Sequence, residues 1–464
     1  MADREQHREW AERTFAHAAL GDERRVDRLV AMAARVAERP AGTVTQVFET
    51  SAEREGAFRL LENEAASPDA VRRAAFEATA KASGCLSRLY VSIDGSSLTL
   101  TDRAERRELG RVGTSHPVRG LQVLSALAID GDGAPLGLLD QQWWARDHQP
   151  FRRKGKDSKC KGTRYKDRET QRWLDTLSTC DDRLREHAPD AEPWYQLDRG
   201  FDCWPMIQLA LERDLLITIR AAHNRRLLGS DGQKLYLWPE VKRQPVLGRY
   251  EIMVPRRGRT PRRASIALRA CQVTIHALVG SKHREKLTVN VVMAEETGRR
   301  QSDRISWILL TTHPVATRDQ AHAVVSAYQL RWRIEDFHRA WKRGYCNVET
   351  NQLRSRNAII KWATILATVA ARALRLAHLL RTTPDIPASS EFTEYEIEAC
   401  FILRKQRRDR RKIILLGELL TMIGDLGGFA NKYSGKLPGP TVLGRGLERV
   451  MVMAKGLQNM EEMR

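Results

Sequence analysis

The chain has 464 residues, of which 78 are Lys or Arg and 58 Asp or Glu, for a formal net charge of +20 and a pI near 9.9. With 42% hydrophobic residues it can build real cores and is long enough for two or three domains, so a soluble globular protein is predicted. The charge balance argues against an ordinary metabolic enzyme and points to a polyanionic partner, nucleic acid before an anionic membrane.

Residues 1–10 are mostly charged and polar, with no apolar leader. The longest apolar-leaning run, Ile359 to Leu380, is interrupted by Lys361, Arg372 and Arg375, each costly at a bilayer centre. A buried helix is expected there, and a cytoplasmic protein with no membrane partner. The seven cysteines are odd in number and scattered, without a Cys-x-x-Cys pair, so reduced thiols are expected in place of a disulfide framework or zinc site.

In chain order, residues 1–80 are predicted to be helical, with Asp22 capping an Arg-rich helix that contains Arg24, Arg25 and Arg28. That helix suits phosphate contact and equally suits a solvated surface. Leu89–Ile93 reads as a strand that delivers Asp94 at its C-terminal edge, Leu121–Ile129 as a second strand, and Asp130–Gly133 as a turn. A third strand, Leu136–Leu139 toward Trp143, completes a meander. Phe151–Arg168 reads as a mobile basic loop, followed by a helix over Glu169–His187. Pro193–Leu197 is a strand ending at Asp198, with a helix over Asp202–Arg213 and a strand over Leu215–Arg220. Strands are then expected over 250–254, 264–268, 271–278, 287–294 and 305–311, interrupted by the cationic cluster 256–263. From Lys342 onward the chain should be helical, with a break at 382–390, a kink at 424–428 and an amphipathic last helix over 447–463.

The run Ala327 to Lys342 has two faces when drawn as one helix. Tyr328, Arg331, Glu335, Arg339 and Lys342 share a polar stripe; Leu330, Ile334, Phe337 and Trp341 lie opposite. Periodicity alone favours a solvated face laced with weak ion pairs. The spacing Tyr328-(2)-Arg331-(3)-Glu335-(6)-Lys342, with its neighbours Arg-Trp-Arg-Ile-Glu and Phe-His-Arg-Ala-Trp-Lys, resembles the signature of the insertion-sequence-four family of bacterial DDE transposases.

That resemblance implies a ribonuclease-H-like α/β catalytic core with a β-rich insertion, flanked by helical N-terminal DNA-binding and helical C-terminal dimerisation regions. The implied bounds are 1–80 for end binding, 81–380 for catalysis with the insertion at about 221–303, and 381–464 for dimerisation. It selects Asp94, Asp198 and Glu335 as the catalytic, metal-holding triad from competitors such as Asp102, Asp130, Asp140 and Asp202. Carboxylates of this kind suit Mg²⁺, with Mn²⁺ able to substitute. The resemblance assigns DNA contacts to Tyr328, Arg331, Lys342, Arg220 and Trp307, the last filling the space of a flipped base, although a core Trp is equally expected, and Arg339 joins the DNA-binding set by its place on the same polar stripe. At the N-terminus it assigns Arg28, Glu55 and Arg59. The implied activity is cut-and-paste transposition of double-stranded DNA by a homodimer, through hairpin intermediates. A catalytically silent DNA-binding regulator and a simple nuclease are the alternatives. Departures from the family at Leu124, Ala222 and Gly200 touch neither triad nor signature.

Overall fold

The computed structural model describes residues 2–462 except 103–106, 114–117, 147–168, 229–233, 257–258, 280–282, 299–303, 410 and 430–436. The basic loop expected at 151–168 lies outside the described residues, as does Cys160. The other six cysteines are free.

Five helices open the chain: α1 (Ala2–Phe15), α2 (Glu23–Glu38), α3 (Val44–Val47), α4 (Ser51–Glu62) and α5 (Pro68–Ala82). Asp22 caps α2, its carboxylate accepting the Arg24 amide, and Thr50 and Glu53 form a capping box on α4. Their apolar sides share one core with the sheet and a later helix, joining Phe15, Leu29, Phe48, Leu61 and Phe76 to Leu121, Val123 and Trp362.

The next elements are β1 (Arg88–Thr99), β2 (Gly110–Val112), β3 (Val118–Ile129), β4 (Pro135–Trp144), α6 (Glu169–His187), β5 (Glu192–Leu197), α7 (Trp204–Glu212) and β6 (Leu216–Arg220). β3 runs antiparallel to both β1 and β4, whereas β5 is parallel to β1 and β6 parallel to β5. An antiparallel meander continued by parallel strands, with helices in the crossovers, is consistent with a ribonuclease-H-like core. The Asp130 turn forms as expected: the Gly133 amide donates to the Asp130 carbonyl, and Gly133 takes a left-handed φ of 87°. One expectation changes. β1 does not stop at Asp94; Gly95–Thr99 stay paired with Gly120–Leu124 of β3, so Asp94 lies inside the strand, with Ser96 two residues beyond it.

The region after Arg220 does not form a separate sheet. It comprises β7 (Arg226–Leu228), β8 (Lys234–Tyr236), α8 (Leu237–Arg243), β9 (Gly248–Arg256), β10 (Arg259–Val279), β11 (His283–Glu296) and β12 (Ser306–Thr311), and β12 pairs with β6 to make one 12-stranded sheet. The two strands expected at 264–268 and 271–278 are one, because Arg269 and Ala270 between them pair with Met293 and Val292. β7, β8 and α8 carry too few alternating residues for the sequence to announce them. Of the cationic cluster, Arg262 ion-pairs with Glu296, and Arg263 lies 3.5 Å from Glu251.

The helix expected from 327 to 342 is divided. α9 (Arg318–Gln329) ends, α10 (Trp332–Arg339) begins, and a π turn follows over Ala340–Gly344. At the break the Leu330 and Arg331 amides bond to the carbonyls of Ala327 and Tyr328, a tighter i→i−3 pattern that alters the helical phase. Tyr328 consequently faces inward at 4% exposure, contrary to its expected place on the outer polar stripe.

The chain closes with α11 (Arg356–Thr382), α12 (Glu394–Leu403), α13 (Leu416–Leu426) and α14 (Pro440–Glu462). α11 is long and apolar enough to cross a membrane by length and composition, but 83% of its apolar window is buried within the fold. Lys361 is one reason: its ammonium donates to the Asn63 and Ala66 carbonyls at 2.9 Å and to that of Leu60 at 3.4 Å, tying α11 to the end of α4.

Candidate functional site

Three elements bring the predicted residues together: the middle of β1, the turn after β5, and the first turns of α10. β1 and β5 are adjacent parallel strands, and Ile93 pairs with Leu197, so Asp94 and Asp198 leave the sheet side by side. Asp198 is held by the turn it begins, its Oδ1 accepting the Gly200 amide at 2.7 Å. Asp94 Oδ1 accepts the Gly95 amide at 2.8 Å.

Arg331, at the break between α9 and α10, joins the acids. Its guanidinium lies 3.1 Å from Asp94 Oδ2 and 2.6 Å from Glu335 Oε1, with only 12% of the side chain exposed. A planar fork of donors suits two carboxylates at once. Even so, burial first and the charge of Asp198 second push the Asp94 carboxyl up to about 6, with a smaller push from Glu335. Asp94 therefore feels both other carboxylates, and a cation already stands between it and Glu335.

Among the described residues, no group of three or more His, Cys, Asp and Glu side chains is gathered so as to hold a metal ion. In donor type Asp94, Asp198 and Glu335 are hard oxygen ligands, and the Arg331 guanidinium lies between Asp94 and Glu335. The competing acids are engaged elsewhere. Asp102 pairs with Arg119, Asp130 holds its own turn, Asp140 lies 3.8 Å from Arg183, and Asp202 binds Arg225 and the Ala222 and His223 amides.

The cations and aromatics fall into two groups. Near the acids, Lys342 is partly buried, with its ammonium 3.4 Å from Ser96 Oγ and 3.6 Å from Glu349. Arg220 at the end of β6 is half-buried; burial, then the nearby Arg199 charge, lower its pKa. Tyr328 packs edge-on against Trp307 at 5.5 Å, and burial raises its phenol pKa. Trp307 is thus neither fully in the core nor free. Arg339 points outward and pairs with Asp336.

The second group is remote. On α4 Glu55 pairs with Arg59, both exposed, and the Arg28 guanidinium from α2 lies over Gly56, so these three residues share one surface patch of the N-terminal helices.

Two residues near the acids gain prominence only in the structure. Trp332 is 55% exposed, and the Arg331 guanidinium lies 5.8 Å from its ring centroid. Its adjacency to Arg331 is the one signal the sequence offers. Glu349 has no such signal, since it meets Thr99 of β1 across 250 positions of chain. His338 is buried beside these groups; burial, with Lys342 and Arg331 assisting, lowers its pKa to about 3 and keeps the ring neutral.

Comparison with known proteins adds two matches along the chain. Residues 7–66 match the model described as Transposase DNA-binding, and residues 153–371 match that described as Transposase DDE domain. The first span contains Arg28, Glu55 and Arg59; the second contains Asp198, Arg220, Trp307, Tyr328, Arg331, Glu335, Arg339 and Lys342. Asp94 lies outside both and is placed by geometry alone. Among solved structures the chain is similar to one described as "Cryo-EM structure of piggyBac transposase synaptic complex with hairpin DNA", at 11% identity and a TM-score of 0.37. The match covers 77% of this chain and 66% of that one, just under two thirds of its length. By sequence, the chain thus has one segment similar to a transposase DNA-binding region and another similar to a transposase DDE domain.

Proposed function

We propose that this protein is a cut-and-paste DNA transposase of the insertion-sequence-four type. The observation that carries the reading is the Arg331 fork joining Asp94 to Glu335, with Asp198, just past the end of the strand beside Asp94, close enough to raise the Asp94 pKa. The match to a transposase DDE domain supports it. All three acids are present, which disfavours a silent DNA-binding regulator.

Asp94, Asp198 and Glu335 would hold Mg²⁺, or Mn²⁺ in its place, whose chemistry when bound is to polarise phosphate oxygens and activate a water or 3′-hydroxyl. The chain's own groups do the rest. Arg331, already oriented as a fork, turns from the carboxylates toward a phosphate of the scissile strand. Lys342 adds a point charge beside β1. Arg220 braces the backbone from the end of β6, and Tyr328, wedged against Trp307, fixes the wall of the site. Trp307 and the exposed Trp332 offer aromatic surface to a base displaced at the cleavage point. Arg28, Glu55 and Arg59 read the end of the element from the N-terminal helices. A second copy docks on the C-terminal helices, where Ile413, Val452 and Met460 are 70%, 59% and 57% exposed. Cleavage of the second strand proceeds through a hairpin.

The test is cleavage of a linear DNA fragment that spans the gene with both flanks, in Mg²⁺, with Glu335→Ala as control. Metal-dependent double-strand release with hairpin-ended intermediates, absent from the variant, is expected. DNA that is bound but left uncut by the unaltered protein would refute the catalytic reading.

A further inference from the structure

We infer that Glu349 is a positioning residue for the cleavage site, acting through Lys342 and through the end of β1; this rests on the proposed function. Glu349 lies in a short 3-10 turn (Val348–Thr350) entered through Asn347, which takes a left-handed φ of 49°. That reversal sends the chain back under the π turn carrying Lys342. A π turn in an α-helix is commonly a local adjustment at a working site.

The Glu349 carboxylate is 10% exposed and holds three partners. Oε1 accepts the Thr99 amide at 2.8 Å, and Lys342 Nζ approaches it at 3.6 Å. Oε2 accepts Arg343 Nε at 2.9 Å. Thr99 closes the strand that carries Asp94, and Lys342 sits two helical turns beyond Glu335. One side chain therefore fastens the strand of the first acid to the helix of the third. The Lys342 ammonium has three donors. Glu349 and, at 3.4 Å, Ser96 Oγ orient it, leaving a donor for a phosphate.

Glu349 cannot serve as a phosphate contact itself, since its charge would repel one. Its chemistry is to hold a cation beside a strand whose own carboxylate needs cations. Without it, Lys342 is a flexible four-carbon chain with several rotamers, and the phosphate loses a fixed partner.

The experiment compares single-turnover cleavage of the gene fragment with flanks by the unaltered protein, Glu349→Gln, Lys342→Met and the double variant, with thermal unfolding of each. Glu349→Gln keeps an acceptor for the Thr99 amide and removes the negative charge that faces Lys342 and Arg343. We expect each single change to lower the cleavage rate constant about 10-fold to 100-fold. The DNA concentration for half-saturation should stay within about threefold, and the double variant should be no slower than the slower single one, the mark of two residues acting as a unit. A merely structural Glu349 would lower the unfolding temperature and leave the Gln variant's rate unchanged, which overturns the inference. Rate losses that multiply in the double variant also overturn it. If the unaltered protein does not cleave, the transposase reading fails first and the positioning role with it. If it cleaves and the Gln variant cleaves equally well, only the positioning role falls.

Discussion

Buried and partly buried cations hold this protein together at two places, and their surroundings differ in kind. At the joint between α4 and α11, Lys361 meets only backbone carbonyls, those of Leu60, Asn63 and Ala66, and burial lowers its pKa to about 8. At the seam between β1 and α10, Arg331 and Lys342 meet carboxylates instead: Asp94, Glu335 and Glu349. The first arrangement ends a helix and leaves the ammonium nothing further to bind. The second is poised, since Asp94 is held uncomfortably between Asp198 and its own burial, and extra positive charge would relieve it. A structural cation is spent on its neighbours, whereas a functional one is surrounded by groups that want another.

That contrast predicts different losses at the two places. Glu335→Ala should reduce DNA cleavage about 1,000-fold or more in a single-turnover assay while leaving thermal unfolding nearly unmoved, because the side chain is partly exposed and Arg331 keeps Asp94 as a partner. Lys361→Met should do the reverse. Three carbonyls lose their donor inside a core, so stability should fall by about 2–4 kcal/mol in denaturant titration, with cleavage by the folded fraction intact.

Asp94 allows a finer test. Its folded pKa is raised to about 6, against about 4 for an unfolded Asp. For a raised carboxyl, the stability it contributes is present below about pH 4 and is lost as pH climbs through about 6. Asp94→Asn should therefore melt about 1–3 °C higher than the unaltered protein near pH 7.5, with the gap closing near pH 4, although the variant is inactive. Equal melting at both values would mean that Arg331 fully compensates the site. Smallest of all, Arg28→Ala and Arg59→Ala on the N-terminal patch should each lower the salt slope of DNA binding by about one, with the cleavage rate at saturation unchanged.

Much of the fold is legible in the amino-acid pattern. α6 begins at Glu169 and ends at His187 as its pattern says, and the meander around Asp130 follows from a strong turn between two apolar runs. That Asp94 and Asp198 lie side by side follows from the parallel pairing of β1 and β5, although β1 runs on past Asp94 and does not end there as its pattern suggests. What periodicity could not supply was phase. A tight turn at Leu330 and Arg331 breaks the helical count, so Tyr328 lies against Trp307 in place of solvent. It could not supply partners either. Glu349 looks like any surface acid until the fold brings Thr99 to it, and Lys361 looks like an interruption in an apolar run until three carbonyls at the end of α4 surround it. Likewise β10 reads as two strands because Arg269 interrupts its alternation, although backbone pairing to β11 carries straight through.

The measurement that bears most directly on the shared site is iron-mediated cleavage of the polypeptide. Fe²⁺ added to the full chain with ascorbate and peroxide produces radicals that cut the backbone beside wherever the ion sits. Fragments ending near Asp94, near Asp198 and near Glu335, all three suppressed by excess Mg²⁺ and lost together in Glu335→Ala, are the predicted result. Cuts confined to one of the three, or clustered elsewhere in the chain, would show that these acids do not hold a common ion.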